Sequence, residues 1–102
     1  MAIGSITPFR PTGTVPVGAS TSSTAAALIG GGDSVVVTNT SSSLAYVCFG
    51  ADPSVTASSA DMPVMANSRI MFSVNGLVSY AAVVLGAGSG IVLFTRGDGS
   101  YL

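Results

Sequence analysis

The sequence of 102 residues contains no histidine, lysine, glutamate or tryptophan, and it has a single cysteine. Because a serine or cysteine nucleophile needs a neighbouring base, this composition excludes Ser-His-Asp and Cys-His catalytic sites. Zinc sites need Cys or His and calcium sites need clustered carboxylates, whereas the four acidic residues are dispersed along the chain. We therefore expect a protein that is not an enzyme and that has no metal ion and no cofactor.

Charge is equally scarce, since charged side chains make up 7% of the sequence and sum to a net charge of -1. Affinity for nucleic acid comes largely from neutralised phosphates, which three arginines cannot supply, so no nucleic-acid partner is expected. The single Cys48 excludes an intramolecular disulfide, and the sequence does not open with the cationic and apolar stretches of a secretory signal. We expect synthesis in the cytoplasm.

One uncharged stretch, residues 70–95, is long enough to be weighed as a transmembrane helix of about 20 residues. Asn75-Gly76 and the glycine-rich segment 86–90 divide it into three short pieces rich in β-branched and aromatic residues. Asn-Gly between apolar runs is the strongest short hairpin signal, because a type I′ turn needs positive φ at both central residues. Strands joined by turns are therefore favoured over a membrane span, and no membrane partner is expected.

Turn signals recur along the chain at spacings of about 8 to 12 residues, which is typical of an all-β sandwich or barrel. No segment has a convincing helical pattern. The sequence therefore predicts an all-β fold, a compact antiparallel β-sandwich that is jelly-roll-like. The predicted strands lie at residues 13–17, 24–29, 34–39, 44–49, 54–57, 62–65, 69–74, 77–84 and 91–95.

The first 23 residues differ from the rest, because prolines and glycines interrupt any long β-ladder there. They predict an extended Pro/Gly-rich N-terminal arm or, alternatively, an edge strand with a frayed end. We accordingly divide the chain into residues 1–23, an N-terminal arm or edge segment, and residues 24–102, the β-sandwich domain.

Three predicted strands, at residues 34–38, 44–49 and 81–85, are apolar on both faces instead of alternating. Each needs the opposing sheet on one face and a loop or another chain on the other. The mean hydropathy of +0.69 is also high for a small domain. Both observations favour a homo-oligomer.

The order of several short segments resembles a family of virion proteins. These segments are 35–40 (Val-Val-Val-Thr-Asn-Thr), 45–50 (Ala-Tyr-Val-Cys-Phe-Gly) and 61–64 (Asp-Met-Pro-Val), followed by a strand and then by Gly97-Asp98-Gly99. In this order they resemble the small capsid decoration, or cement, proteins of tailed bacteriophages. The resemblance implies a compact β-sandwich that binds the outer surface of a phage capsid and stabilises contacts between major capsid subunits.

The resemblance also implies the major capsid protein as a partner, self-association with a trimer as a candidate, and a place on the virion surface after synthesis in the host cytoplasm. A different class of function stays open, namely a neck, tail or fibre-type module that binds a glycan or a receptor. Sugar-binding sites usually present aromatic platforms, and this chain has no Trp and three Tyr.

The candidate contacts to a capsid or to a sister subunit fall in the arm, in two charged loops and near the end of the sequence. Arg69 would be a binding anchor if an interface buried it, and Asp52, Asp61 or a partner's carboxylate could pair with it. Arg96-Gly97-Asp98 is a tripeptide that integrins recognise, but we interpret it as a source of local or inter-subunit polar contacts. The candidate contact residues are Ile3, Ile6, Phe9, Arg10, Val15, Val17, Asp52, Arg69, Arg96 and Asp98.

Overall fold

The computed structural model describes residues 10–74 and 78–98, which form eight β-strands and no helix. The all-β fold class predicted from the sequence is therefore confirmed. Over the same ranges there is no helix with the length and apolar character needed to cross a membrane. In chain order the strands are β1 (Arg10–Ala19), β2 (Thr24–Ala27), β3 (Ser34–Asn39), β4 (Ala45–Gly50), β5 (Met62–Val64), β6 (Ser68–Ser73), β7 (Tyr80–Leu85) and β8 (Gly90–Asp98).

The strands form two antiparallel sheets of four strands each. Sheet I has the order β1-β8-β3-β6, and sheet II has the order β2-β7-β4-β5. The pairs β1 with β8, β2 with β7, β3 with β6 and β4 with β5 are those of one long hairpin whose turn lies between β4 and β5. The pairs β3 with β8 and β4 with β7 complete the two sheets. The chain thus folds as a rolled hairpin whose successive strand pairs alternate between the sheets.

One apolar core lies between the sheets and is built from alternate residues of their strands. The ring of Phe49 in sheet II contacts two rings of sheet I, with centroid distances of 5.4 Å to Phe72 and 6.2 Å to Phe94. Burial of each Val, Leu or Phe side chain contributes about 1.5–3 kcal/mol, so the core is the main source of stability. Its largest fully buried side chains are Val35, Val37, Val47, Val64, Val83, Val92 and Phe94.

Asn39, at the end of β3, is completely buried and uses both ends of its amide. Its Nδ2 donates to the carbonyl oxygens of Ser43 at 2.9 Å, Val64 at 3.1 Å and Met65 at 3.3 Å. Its Oδ1 accepts from the backbone N–H and from the hydroxyl of Ser41, at 3.0 and 2.6 Å. This side chain therefore ties the β3–β4 turn in one part of the fold to β5 of the opposite sheet.

The strand predicted at residues 54–57 is wrong, whereas the other eight predicted strands overlap observed ones. That segment belongs to a loop between β4 and β5 in which aspartates bind backbone groups. Asp52 Oδ1 accepts the backbone N–H of Ser54 at 3.0 Å, and Asp61 Oδ2 accepts that of Ser58 at 2.7 Å. Such bonds compete with strand pairing, and here they outweigh the β propensity of the residues between them.

Two sequence predictions fall partly or wholly on residues outside the described ranges. One is the Asn75-Gly76 turn, and the other is the first part of the N-terminal arm, residues 1–9. From Arg10 onward the N-terminal segment forms β1, an edge strand that pairs with β8, with a shift of register between Pro11 and Gly13.

The loop between β4 and β5, residues 51–61, covers the outer face of sheet II. Cys48 alternates with the core residues of β4, and its thiol donates to the carbonyl oxygen of Thr56 at 2.9 Å. The backbone N–H of Ala57, which is 8% exposed, donates to Ser23 Oγ beside β2 at 2.8 Å. The loop thus shields the apolar outer positions of β4 and β7, for which the sequence required a loop or another chain.

Candidate interaction surface

The outer face of sheet I, in contrast, has exposed or half-buried side chains at most positions, although Val36 at its centre is only 5% exposed. Its residues alternate with the core-facing residues along each strand, and the strand register arranges them in rows across the sheet. One row runs across the middle of all four strands, and a second runs beside it. We define the sheet I surface as the outward residues Thr14, Pro16, Gly18, Ile91, Leu93, Thr95, Val36, Thr38, Arg69 and Met71.

The sheet I surface is neutral apart from Arg69 at its edge. Ile91 is 46% exposed, and the neighbouring Leu93 is half-buried. Hydroxyl groups lie beside these apolar side chains, and those of Thr14 and Thr95 are hydrogen-bonded to each other across β1 and β8 at 2.9 Å. Apolar side chains flanked by uncharged polar groups are typical of a surface that contacts another protein.

Arg69 lies on β6 beside an open depression of about 250 Å³. The ion pairs with Asp52 or Asp61 that the sequence allowed are not formed, because both carboxylates bind backbone groups of their own loop. Arg69 is exposed and forms no ion pair within the part of the chain that the structure describes. Its guanidinium is therefore available to a carboxylate of a partner. The residues that line the depression are Thr38, Asn39, Thr40, Asn67, Ser68 and Arg69.

Arg96 is buried, with 5% of its surface exposed, and follows Val92 and Phe94 on the core side of β8. Its Nε and Nη2 donate to the carbonyl oxygen of Gly32 at 3.0 and 2.9 Å, and its Nη1 donates to that of Val78. These bonds join the β2–β3 loop and the β6–β7 loop to the end of β8. The role of Arg96 is structural, and its burial removes it from the candidate contact residues.

The tripeptide that contains Arg96 packs against the glycine-rich loop before β3. Gly32 has a φ of +123°, and a Cβ built there would collide with the carbonyl group of Gly97. Asp98 is exposed, and its Oδ1 accepts the backbone N–H of Asp33 at 3.2 Å. The local polar contacts predicted for Arg96 and Asp98 are therefore present, and the tripeptide is held within a strand instead of a free loop.

The remaining candidate contact residues lie in different environments. Arg10 is exposed at the start of β1, opposite Asp98 in the register. Val15 is half-buried against the core, and Val17 is 4% exposed within it, so Val17 has no surface to offer a partner. Asp52 is exposed in the loop that covers sheet II. The candidates outside the described residues are Ile3, Ile6 and Phe9.

Sequence reasoning did not select Ile91, Leu93, Met71 or Pro16 as contact residues. A signal for the first two was present, because residues 91–94 are apolar at four successive positions and one face of such a strand lies outside the core. Met71 had a shorter signal of the same kind, because residues 70–72 are apolar at three successive positions.

Two titratable groups of the β4–β5 region, Asp52 and Cys48, have shifted pKa values. Hydrogen bonds from Ser54 lower the pKa of the exposed Asp52 carboxyl. Burial raises the pKa of the Cys48 thiol, and the Asp61 carboxylate raises it further. Because a thiol reacts as its thiolate, Cys48 is held in the less reactive form at neutral pH. The described residues contain no group of three side chains that could hold a metal ion.

We expect iodoacetamide to alkylate Cys48 several-fold more slowly in the folded protein than in urea. Asp61→Asn should raise the native rate, because loss of the negative charge lowers the thiol pKa while the amide oxygen still accepts the Ser58 N–H. Asp52→Asn is the matched control in the same loop and should leave the rate unchanged. Mass spectrometry of timed samples measures these rates, and equal rates in the native and unfolded protein would contradict the shielding.

Comparison of the chain with protein-family models, with curated proteins and with solved structures finds no match in any of the three.

Proposed function

We propose that the protein is a non-enzymatic structural protein of a bacteriophage virion. It binds the outer surface of the capsid and stabilises contacts between major capsid subunits, and it is located on the virion surface. Its partners are the major capsid protein and further copies of itself. The observation that carries this proposal is the sheet I surface, a neutral sheet face with exposed apolar side chains and one cation at its edge.

We further propose that the sandwich is a jelly roll. The strand pairing supports this, because a jelly roll consists of eight antiparallel strands in two sheets, and here the strand pairs of one hairpin alternate between the sheets. Jelly rolls occur among viral capsid proteins and also among lectins. The topology is thus compatible with a virion protein and with a glycan-binding module, so the choice between them rests on the surface.

The side chains of the sheet I surface favour a protein partner over a sugar. None of its ten residues is aromatic, whereas sugar-binding sites commonly use exposed aromatic platforms. Tyr46 and Tyr80 lie on the outer face of sheet II, where both are half-buried. The alternative function, a neck, tail or fibre-type module for a glycan or receptor, has correspondingly weaker support.

The proposed function is tested by binding to undecorated phage heads. Purified protein is mixed with heads, the heads are sedimented, and bound copies are counted per capsid subunit. Saturable binding in proportion to the capsid subunits, with heads that then resist heat better, supports the proposal. Binding of only a few copies indicates a neck or tail component, and retention on glycans without binding to heads indicates the fibre-type module. Deletion of residues 1–9 in the same assay tests Ile3, Ile6 and Phe9.

We expect Ile91→Glu to weaken binding to heads by about tenfold or more, because it places an uncompensated charge within the contact surface. Ile91 is already 46% exposed, so its free energy of unfolding should change by about 1 kcal/mol or less. Met65→Glu is the matched control, since Met65 is 66% exposed in the β5–β6 turn and outside the sheet I surface. If Ile91→Glu, at unchanged thermal stability, bound heads as tightly as Met65→Glu and the wild type, the sheet I surface would not be the contact.

A further inference from the structure

The free edges of the two sheets are strands β1, β6, β2 and β5, and three of them carry features that hinder pairing with another chain. Very short strands and edge prolines are the usual ways in which proteins protect a sheet edge. β2 has four residues and β5 has three, one of which is Pro63. β1 contains Pro16. β6 has six residues and no proline, so among the edges of the described fold it is the one that neither shortness nor proline protects, although it carries the charge of Arg69.

The hydrogen-bond pattern shows which backbone groups these two edges of sheet I present to solvent. The hydrogen bond from the N–H of Val74 to the carbonyl of Asp33 shows which residues of β6 direct their backbone N–H and C=O groups toward β3, because such residues alternate along an antiparallel strand. By that alternation the N–H and C=O groups of Phe72 and Ile70 point toward β3, whereas those of the residues between and beside them point outward. The outward-pointing residues of β6 are Arg69, Met71 and Ser73.

The same reasoning applied to β1 explains why Pro16 is compatible with the ladder. The N–H of Thr40 donates to the carbonyl of Ile91, so the backbone N–H and C=O groups of Ile91 and of every second residue after it in β8 point toward β3. In β1, the residues opposite these positions therefore direct their own N–H and C=O groups away from β8, toward solvent. Pro16, opposite Leu93, is one of them. The N–H that this proline lacks would therefore face solvent, which means that β1 is blocked at its outer edge without loss of a ladder bond.

We propose that the β6 edge binds β6 of a second copy of this chain, antiparallel and about a two-fold axis at Met71. In this register Met71 lies opposite the partner's Met71, and Arg69 lies opposite the partner's Ser73. All three outward-pointing residues are then in hydrogen-bonded pairs, each of which exchanges two N–H···O bonds. The two sheets I become one continuous sheet, and both sheet I surfaces face the same side.

The charge on the edge selects the register of this self-pairing. Arg69 is a like charge for the partner's Arg69, and directly opposed like charges destabilise a strand pair. A register centred on Met71 separates the two arginines by four positions along the strands and places each beside a neutral hydroxyl. Met71, which is half-buried in one copy, gains an apolar neighbour in the other. The edge is therefore complementary to itself, as an isologous contact requires.

This inference gives the homo-oligomer of the proposed function a definite surface, but it is tested on the purified protein alone. Failure to bind heads would leave it standing, and failure to self-associate would leave capsid binding standing. Pairing of single edges buries little surface compared with a standard interface, so the dimer is expected to be weak and reversible.

The first experiment is sedimentation velocity of the protein over a wide range of concentrations. We expect a monomer–dimer equilibrium that Met71→Pro abolishes, because proline removes an outward N–H and no bond to β3. Gly18→Pro is the matched control on the outward side of β1, where a side chain meets no atom within 4 Å, and it should leave the equilibrium unchanged. Circular dichroism shows whether both variants fold.

A gain-of-function variant tests the register without a risk to folding. Ser73→Asp places a carboxylate beside the partner's Arg69 at two symmetric positions, and we expect it to tighten the dimer about fivefold at low salt and not at high salt. Hydrogen exchange should show concentration-dependent protection of the Arg69, Met71 and Ser73 amides. A protein that stays monomeric, that forms a trimer, or whose association is unaffected by Met71→Pro would overturn the inference.

Discussion

Asn39→Asp is expected to lower the free energy of unfolding by about 3–5 kcal/mol at neutral pH. The carboxylate has the shape of the amide but no N–H to donate. The carbonyl oxygens of Ser43 and Val64, which now accept from Nδ2 at 2.9 and 3.1 Å, would then face a buried negative charge. Asn39 is completely buried, so water cannot replace the lost donors.

The loss of stability in Asn39→Asp depends on pH, and burial of the introduced carboxyl determines the direction of that dependence. Burial raises the folded-state pKa of the introduced carboxyl above its ordinary value of about 3.9. The loss of stability is therefore complete above the raised pKa, shrinks as the pH falls through it, and is smallest below the ordinary value. Urea unfolding of variant and wild type across this range measures the difference.

Asn67→Asp is the matched control, because Asn67 is exposed in the β5–β6 turn. Its φ of 55° lies in the left-handed region that aspartate also tolerates, so we expect a change of about 0.5 kcal/mol or less. If the two variants were equally stable, the buried amide of Asn39 would not be the link between the β3–β4 turn and β5.

Gly32→Ala is expected to destabilise the protein by about 3 kcal/mol or more. The φ of +123° at Gly32 is one that side chains rarely adopt, and the added Cβ would collide with the backbone of Gly97. Relief of that collision moves the Gly32 carbonyl, which is the acceptor for two of the guanidinium nitrogens of Arg96. The substitution thus also weakens two hydrogen bonds of the buried Arg96 guanidinium.

The adjacent Gly31→Ala is the control for this second prediction. A Cβ at Gly31 meets no atom within 4 Å, and its φ is not in the left-handed region. We expect a change of about 1 kcal/mol or less in either direction. Thermal and urea unfolding compare the two alanine variants, and a Gly32→Ala protein as stable as Gly31→Ala would contradict the argued collision.

Much of the fold was predictable from local signals. β-branched runs punctuated by glycine, asparagine and proline located eight observed strands, because extended backbone and tight turns have distinct residue preferences. The segment around Val55 has the same β-branched character, yet it lies in a loop. Asp52 and Asp61 bind backbone N–H groups within the segment, and the backbone N–H of Ala57 binds the distant Ser23, a tertiary contact that the local sequence does not reveal.

The candidate surface was harder to predict than the fold. Arg69 was selected and is exposed on the sheet I surface, whereas Val17 and Arg96 were selected and are buried. Alternation along the strands places Val17 with the core, and it places Arg96 in line with Phe94, although a charge is rarely expected there. Carbonyl groups of two distant loops accept hydrogen bonds from its guanidinium, and no local pattern in the sequence reveals those contacts.

The position of β8 has a consequence for how a newly made chain becomes folded. β8 lies between β1 and β3 in sheet I, although it is the last strand in chain order. Before Gly90–Asp98 leaves the ribosome, β1 has no neighbour in sheet I, and the apolar core face of β3 has only β6 beside it. Pairing between such distant segments is slow to form, so sheet I is completed late in folding, once β8 is available. An interrupted chain that ends before Gly90 lacks one of the two inner strands of sheet I, and only chains that reach β8 acquire the sheet I surface.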